Sequence, residues 1–257
     1  MIERPRLSNT KGLSSSGHSV PQACSTIVPP GWGLDRDAQP VREFRRQRLR
    51  HAWRGFSSSH KIRSSRMRIC ESTLERDAHT VLSADPQVLY FGVQPHWLTF
   101  VDFTDQGQAV WRRYAPDIIA QLRNGRRVVI EVKSITFAAS EPWLSRQAAI
   151  RAAYAEHDLD FVVLTELEIR NQPRLENCRI MLSHRSFGLD AQHLIAVRSS
   201  LGVASSPATI ATIIDLARAR GGEQSPSFST LMQMILTGEI TADLSRPLGD
   251  DTLVNWQ

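Results

Sequence analysis

The sequence predicts an α/β fold, a mixed β-sheet flanked by helices with a second, smaller domain behind it, and three observations carry that expectation. Apolar residues at 74, 78, 81 and 82 repeat at the spacing of one helix face. Segments 88–93, 97–103, 109–114, 118–122 and 126–132 are rich in β-branched and aromatic residues and are divided by turn signals, as strands are. A second helical stretch, 143–156, and a returning apolar run, 161–164, then close the unit.

Ahead of that unit, residues 1–40 are rich in Ser, Pro and Gly with no sustained period, which predicts a largely disordered segment. Arg42, Arg45, Arg46, Arg48, Arg50 and Arg54 follow, interleaved with Phe44, Leu49, Trp53 and Phe56. Two readings of this run stand side by side. It is either a basic amphipathic helix lying along phosphates, with Arg45, Arg46, Arg48, Arg50 and Arg54 as the DNA-contacting set, or a solvated tail. Charge is distributed accordingly: residues 1–70 hold 14 of the 31 Lys+Arg and 4 of the 26 Asp+Glu, so the front carries +10 and the remainder −5. Residues 1–60 are expected to form a basic arm.

Structure is expected from residue 63 onward. Residues 66–70 suit a short lead-in strand, and residues 71–82 a helix that Asp85-Pro86 ends, because proline disfavours helix for its predecessor. Gln94-Pro95 and Asp105-Gln106-Gly107 separate the next three strands. Leu144, Ala148, Ala152 and Ala155 fall on one face of the helix behind Glu141-Pro142.

Asn124-Gly125 marks a β-hairpin, and its loop length decides which side chains meet. A two-residue loop sets Asp117 opposite Val132. A three-residue loop of Arg123, Asn124 and Gly125, with Gly125 left-handed in a bulge, sets it opposite Glu131, and this is the expected arrangement. Alternation then places Glu131 and Lys133 on that same face and turns Val132 into the other packing layer. Glu131 also interrupts the apolar run Val128, Val129, Ile130 and Val132, where an acid is costly unless bound or paired. Two carboxylates and an ammonium converging in this way suit metal-dependent phosphodiester cleavage. A surface hairpin with ordinary solvated charges is the alternative, and Glu75, beside its helix's apolar stripe, is by itself an ordinary helix charge.

Behind residue 170, segments 174–184 and 191–197 suggest helices. Ser206-Pro207 suits the cap of a helix with Ile210, Ile213, Ile214 and Ala217 inward, ended by Gly221-Gly222, and 228–236 a further helix. Segments 240–244 and 252–256 read as a small β-wing.

Composition excludes several classes. No stretch reaches the apolar length of a membrane span and the N-terminus lacks the apolar segment of a secretory signal, so a cytoplasmic protein is expected. Cys24, Cys70 and Cys178 are odd in number, widely spaced and free of any CxxC, against a disulfide framework or a zinc site.

Pro116-Asp117 followed by Glu131-Val132-Lys133 within such an α/β sequence resembles the restriction-endonuclease-like nuclease fold, whose pattern is Pro-Asp, then Asp or Glu, any residue, Lys. More narrowly, 71–77 (Glu-Ser-Thr-Leu-Glu-Arg-Asp), Asp85-Pro86, Gln94-Pro95, Tyr114-Ala115-Pro116-Asp117, Glu131-Val132-Lys133 and 161–166 together resemble, in order, the TnsA endonuclease subunit of heteromeric DNA transposases, over about residues 63–170. The resemblance implies an endonuclease domain at 61–170 and a winged-helix-like C-terminal domain at 171–257. It implies Glu75, Asp117, Glu131 and Lys133 as the catalytic set, and two Mg²⁺ ions, or Mn²⁺ in their place, with Asp117 shared and Glu75 and Glu131 ligating one each. It implies transposon-end DNA, a DDE-type transposase subunit (TnsB-like) and an AAA+ ATPase regulator (TnsC-like) as partners, and a bacterial, nucleoid-associated setting. The reaction expected is a nick in one strand, on the 5′ side, at each transposon end. A stand-alone restriction or repair nuclease and a catalytically silent adaptor are the alternatives. Lys133 read as a plain strand charge is the blander option, which its i+2 relation to Glu131 disfavours.

Overall fold

The protein is described here from a computed structural model covering residues 30–42, 55–63, 67–104, 106–186 and 191–257. Arg45, Arg46, Arg48, Arg50 and Arg54 lie outside the described residues. The fold is mixed α/β. Strands β1 (Gly55–Ser58) and β2 (Met67–Cys70) pair antiparallel and lead into α1 (Thr73–Ala84). Ser72 caps that helix by accepting from the Glu75 amide at 3.1 Å. Leu74, Ala78 and Leu82 follow at helical spacing on its buried face.

The central sheet is built from β3 (Val88–Val93), β6 (Ile118–Leu122), β7 (Arg127–Val132) and β8 (Asp160–Leu164), in that order. Between them in the chain, β4 (Leu98–Phe103) and β5 (Ala109–Tyr114) form a separate two-stranded ribbon, so the expected strands do not all join one sheet. Neighbours β3, β6 and β7 run antiparallel. The last pair, β7 and β8, is parallel, and its crossover runs through the short helix α2 (Ile135–Ala138) and α3 (Glu141–Ala155).

Alternation sorts the sheet into two layers. Ile118, Ala120, Val128, Ile130 and Val132 pack with Leu74, Ala78 and Leu82 of α1. Ile119, Val129 and Phe161 pack on the other side with Trp143, Ile150 and Tyr154 of α3 and with Leu98 and Phe100 of the ribbon. Each large apolar side chain so buried contributes about 1.5–3 kcal/mol, which makes a one-residue slip of these strands prohibitive.

Part of the expected arm packs on this core. Leu34 is buried, and the Trp32 ring stands edge-on to His96 at 5.1 Å. Gly33 fits there only because it has no side chain: at φ +76°, a Cβ would lie 2.1 Å from the Pro95 carbonyl oxygen. The described parts of 1–60 therefore belong with the α/β unit, because Trp32 and Leu34 find an apolar surface that composition alone could not reveal.

After α4 (Glu166–Ile169) and α5 (Arg174–Ser183), the chain forms α6 (Ala191–Leu201), β9 (Ala208–Thr209), α7 (Ile210–Arg218), α8 (Gln224–Thr237), β10 (Thr241–Ala242) and β11 (Leu253–Asn255). The three strands pair in the order β10-β11-β9, all antiparallel, beside a core of Val197, Ile210, Ile213, Ile214, Leu231, Ile235 and Val254. Thr209, rather than Ser206, caps α7 by accepting from the Thr212 amide at 3.2 Å. Ser206 instead clasps the last strand, donating to the Trp256 carbonyl and accepting from its amide, both at 3.1 Å. Among the described residues no helix is long and apolar enough to cross a membrane.

Candidate active site

The hairpin between β6 and β7 sets the geometry. Ile118 faces Ile130, Ile119 faces Val129 and Ala120 faces Val128, a register that continued one step sets Asp117 opposite Glu131. The loop is the three-residue one: the Leu122 amide donates to the Arg126 carbonyl at 2.8 Å, the Gly125 amide to the Leu122 carbonyl at 3.0 Å, and Gly125 has φ +85°. The acidic pair thus sits at the ends of the two central strands, not on an edge strand.

Each group is held by identifiable neighbours. Asp117 is 8% exposed, and its Oδ2 accepts from the Val132 amide at 2.9 Å. Glu131 is 3% exposed; its Oε2 accepts the Tyr114 hydroxyl and its Oε1 the Lys133 ammonium at 2.5 Å. Lys133 Nζ also lies 4.2 Å from the centre of the Trp143 ring and 5.5 Å from that of Phe137, an aromatic bracket that limits where the ammonium can go. Val132 turns into the α1 layer, as alternation requires.

Glu75 stands on α1, which covers the opposite face. Its Oε1 accepts from the Ser72 hydroxyl at 3.1 Å and its Oε2 from the Glu71 amide at 3.0 Å, so it serves as part of the helix cap. Its charge still reaches the pair. Burial, then Glu131, then Glu75 push the Asp117 carboxyl well above the ordinary carboxylate range, while the Val132 amide and Arg42 oppose that rise. Burial raises Glu75 too. Burial and the Glu131 charge together raise the Tyr114 phenol, which keeps it a hydrogen-bond donor.

Asp117, Glu131, Glu75 and Lys133 are therefore neighbours, with the first two and Lys133 forming one connected face and Glu75 coupled through charge. Carboxylate oxygens are the donors hard divalent ions prefer, and the repulsion between buried acids is relieved either by a proton or by a cation between them. In charge and donor type, Asp117 and Glu131 fit such an ion. Glu75 joins only by leaving Ser72 and the Glu71 amide, and among the described residues no group of three or more His, Cys, Asp or Glu side chains is set to hold a metal ion.

Two functional neighbours escaped sequence reasoning. Tyr114 was visible only as part of the Tyr114-Ala115-Pro116-Asp117 stretch; its inward direction follows from its pairing with Leu98, which needs the ribbon register. Arg42 stands in the sequence only as the first arginine of a basic run that reads either as phosphate-lying or as a solvated tail, outside the DNA-contacting set. It points instead at the acids, with Nη1 3.5 Å from Asp117 Oδ1 and 3.9 Å from Glu71 Oε2 and with Nη2 donating to the Ala115 carbonyl. No protein-family model matches the chain, and no curated protein matches it significantly.

Proposed function

We propose that the chain is a metal-dependent DNA endonuclease on a restriction-endonuclease-like core, the TnsA-like subunit of a heteromeric transposase that nicks one strand at each transposon end. The observation that carries this reading is the buried Asp117–Glu131 pair, set face to face by the hairpin register, with Lys133 clamped on Glu131. A divalent ion bound by these carboxylates, with Glu75 recruited from its cap, would supply a water acidic enough to attack a phosphodiester at neutral pH and would offset charge on the leaving oxygen. Lys133, fixed by Glu131 and Trp143, would orient that water and stabilise negative charge developing on the phosphate. Tyr114 holds Glu131 with its second oxygen turned to Lys133.

The C-terminal unit supports a winged-helix domain in its order of helix, strand, two helices and two strands, with the three strands paired in one small sheet. Arg218, Arg220 and Arg246 are the only Lys or Arg between 205 and 257. So thin a positive surface supports docking on protein, a TnsB-like transposase and a TnsC-like ATPase, over gripping phosphates.

One observation favours a second reading, a catalytically silent adaptor on the same fold: both Glu131 oxygens are already partnered and Asp117 faces an arginine. A strand-specific cleavage assay on transposon-end DNA, with and without the partner transposase, separates the two. The endonuclease reading expects Mg²⁺- or Mn²⁺-dependent nicking that Asp117→Ala abolishes while circular dichroism is unchanged. Full cutting by a complex containing Asp117→Ala would leave only the adaptor.

A further inference from the structure

Arg42 is tied to the ends of the central strands by the backbone as well as by its side chain. The Val41 amide donates to the Gln94 carbonyl at 2.9 Å, and the Gln94 amide in turn donates to the Asp117 carbonyl at 2.7 Å. Gln94 adopts φ 46°, a left-handed conformation that a residue with a side chain holds only where its surroundings impose it. This relay delivers Arg42 to the mouth of the acidic cluster. Of the two Asp117 oxygens, Oδ2 is taken by the Val132 amide, and Oδ1 is the one that faces the guanidinium.

The contact has the character of a counter-ion that can be exchanged. Its 3.5 Å separation is longer than the 2.7–2.9 Å typical of charge-assisted hydrogen bonds, and the Arg42 side chain keeps 29% of its exposure, against 11% for Asp117. The Glu131 and Glu75 charges bear on the same Asp117 carboxyl, and Lys133 is engaged by Glu131. A divalent cation on Asp117 Oδ1 would meet a fixed positive charge at the same oxygen. Both cannot hold it at once without strong repulsion.

Resting on the reading of Asp117 and Glu131 as metal ligands, we infer that Arg42 is an autoinhibitory counter-ion: it competes with the divalent cation for Asp117 Oδ1 and holds the chain in a metal-poor state until it is displaced. Metal loading and withdrawal of Arg42 are then one linked equilibrium, so whatever favours one favours the other.

The test is direct Mn²⁺ binding to the full chain without DNA, by titration calorimetry or by the electron paramagnetic resonance of free Mn²⁺. Arg42→Gln binds Mn²⁺ tighter than the parent chain, by roughly three- to tenfold, the range expected for removing one partly exposed competing charge. Arg42→Lys, which keeps the positive charge, stays close to the parent. Adding Asp117→Asn to Arg42→Gln abolishes the gain. If Arg42→Gln does not fold, Arg42→Met keeps the aliphatic stem without the charge and carries the same expectation. Equal Mn²⁺ affinity in the parent and the neutral variant overturns the inference and leaves the metal-site reading intact. Absence of Mn²⁺ binding in every variant, with native circular dichroism, overturns both.

Discussion

Asp117 is buried, faces two other acids, and has an arginine as its nearest countercharge. Ionising it costs free energy in the folded chain that it does not cost in the unfolded one. Because its folded pKa lies above its unfolded value, the stability it permits is fully present below the ordinary carboxylate range and is lost as pH rises through the raised value. In EDTA the parent chain therefore loses stability as pH rises through that raised value. Asp117→Asn removes the ionising group yet keeps an oxygen to accept from the Val132 amide, so it flattens that dependence. Above that raised value the variant is expected to be the more stable of the two, by a margin that grows as pH rises. Thermal melts of both proteins across pH in EDTA check this. A parallel pH dependence in the two would show that Asp117 is not the strained acid.

At the scale of elements, the β6–β7 hairpin carries the site, and its loop is where one backbone angle controls the rest. Gly125 sits at φ +85° with open space where a Cβ would project, so a larger residue there meets backbone strain and no clash. Gly125→Ala is expected to cost about 1 kcal/mol, with Gly125→Asn costing less because Asn tolerates the left-handed region, and both keeping the Asp117–Glu131 register. Chemical denaturation measures the cost; a loss several times larger would mean that the loop holds contacts absent from this structure. The hairpin was legible in the sequence because turn chemistry and alternation are local rules. The same rules found α1, α3, β3, β5 and most of the C-terminal helices. They failed where a decision depends on distant residues. Nothing local separates β4 and β5 from the main sheet, or tells Thr209 from Ser206 as the α7 cap, once a two-residue strand pairs with β11 between them. Arg42 failed for the same reason: an arginine in a basic run looks solvated until the fold brings Asp117 to it.

Across the whole molecule, the unit that carries the acidic cluster and the C-terminal helices are joined at the helix that bears Glu75. Asp77, 4% exposed on α1, accepts from Arg170 Nε at 2.8 Å, just past α4, and from Arg179 Nη2 at 3.0 Å on α5, and Arg170 also donates to Thr73 at 2.8 Å. Asp77 is two residues from Glu75, so the clamp fixes the first turns of α1, and with them the distance of Glu75 from Asp117. The two arginines are each about two-fifths exposed and can be solvated when released, which limits the loss to less than that of a fully buried ion pair. Asp77→Asn keeps a shorter-range acceptor but removes the charge, and is expected to lower stability by about 1–3 kcal/mol. It is also expected to weaken Mn²⁺ binding, because Glu75 is then no longer held beside the pair, whereas Arg198→Ala, which breaks a solvent-exposed ion pair with Glu239 far along the chain, changes Mn²⁺ affinity little. Denaturant titration together with Mn²⁺ binding on both variants decides the point. If Asp77→Asn is destabilised but binds Mn²⁺ as the parent does, the clamp serves packing alone and the C-terminal helices have no hold on the acidic site.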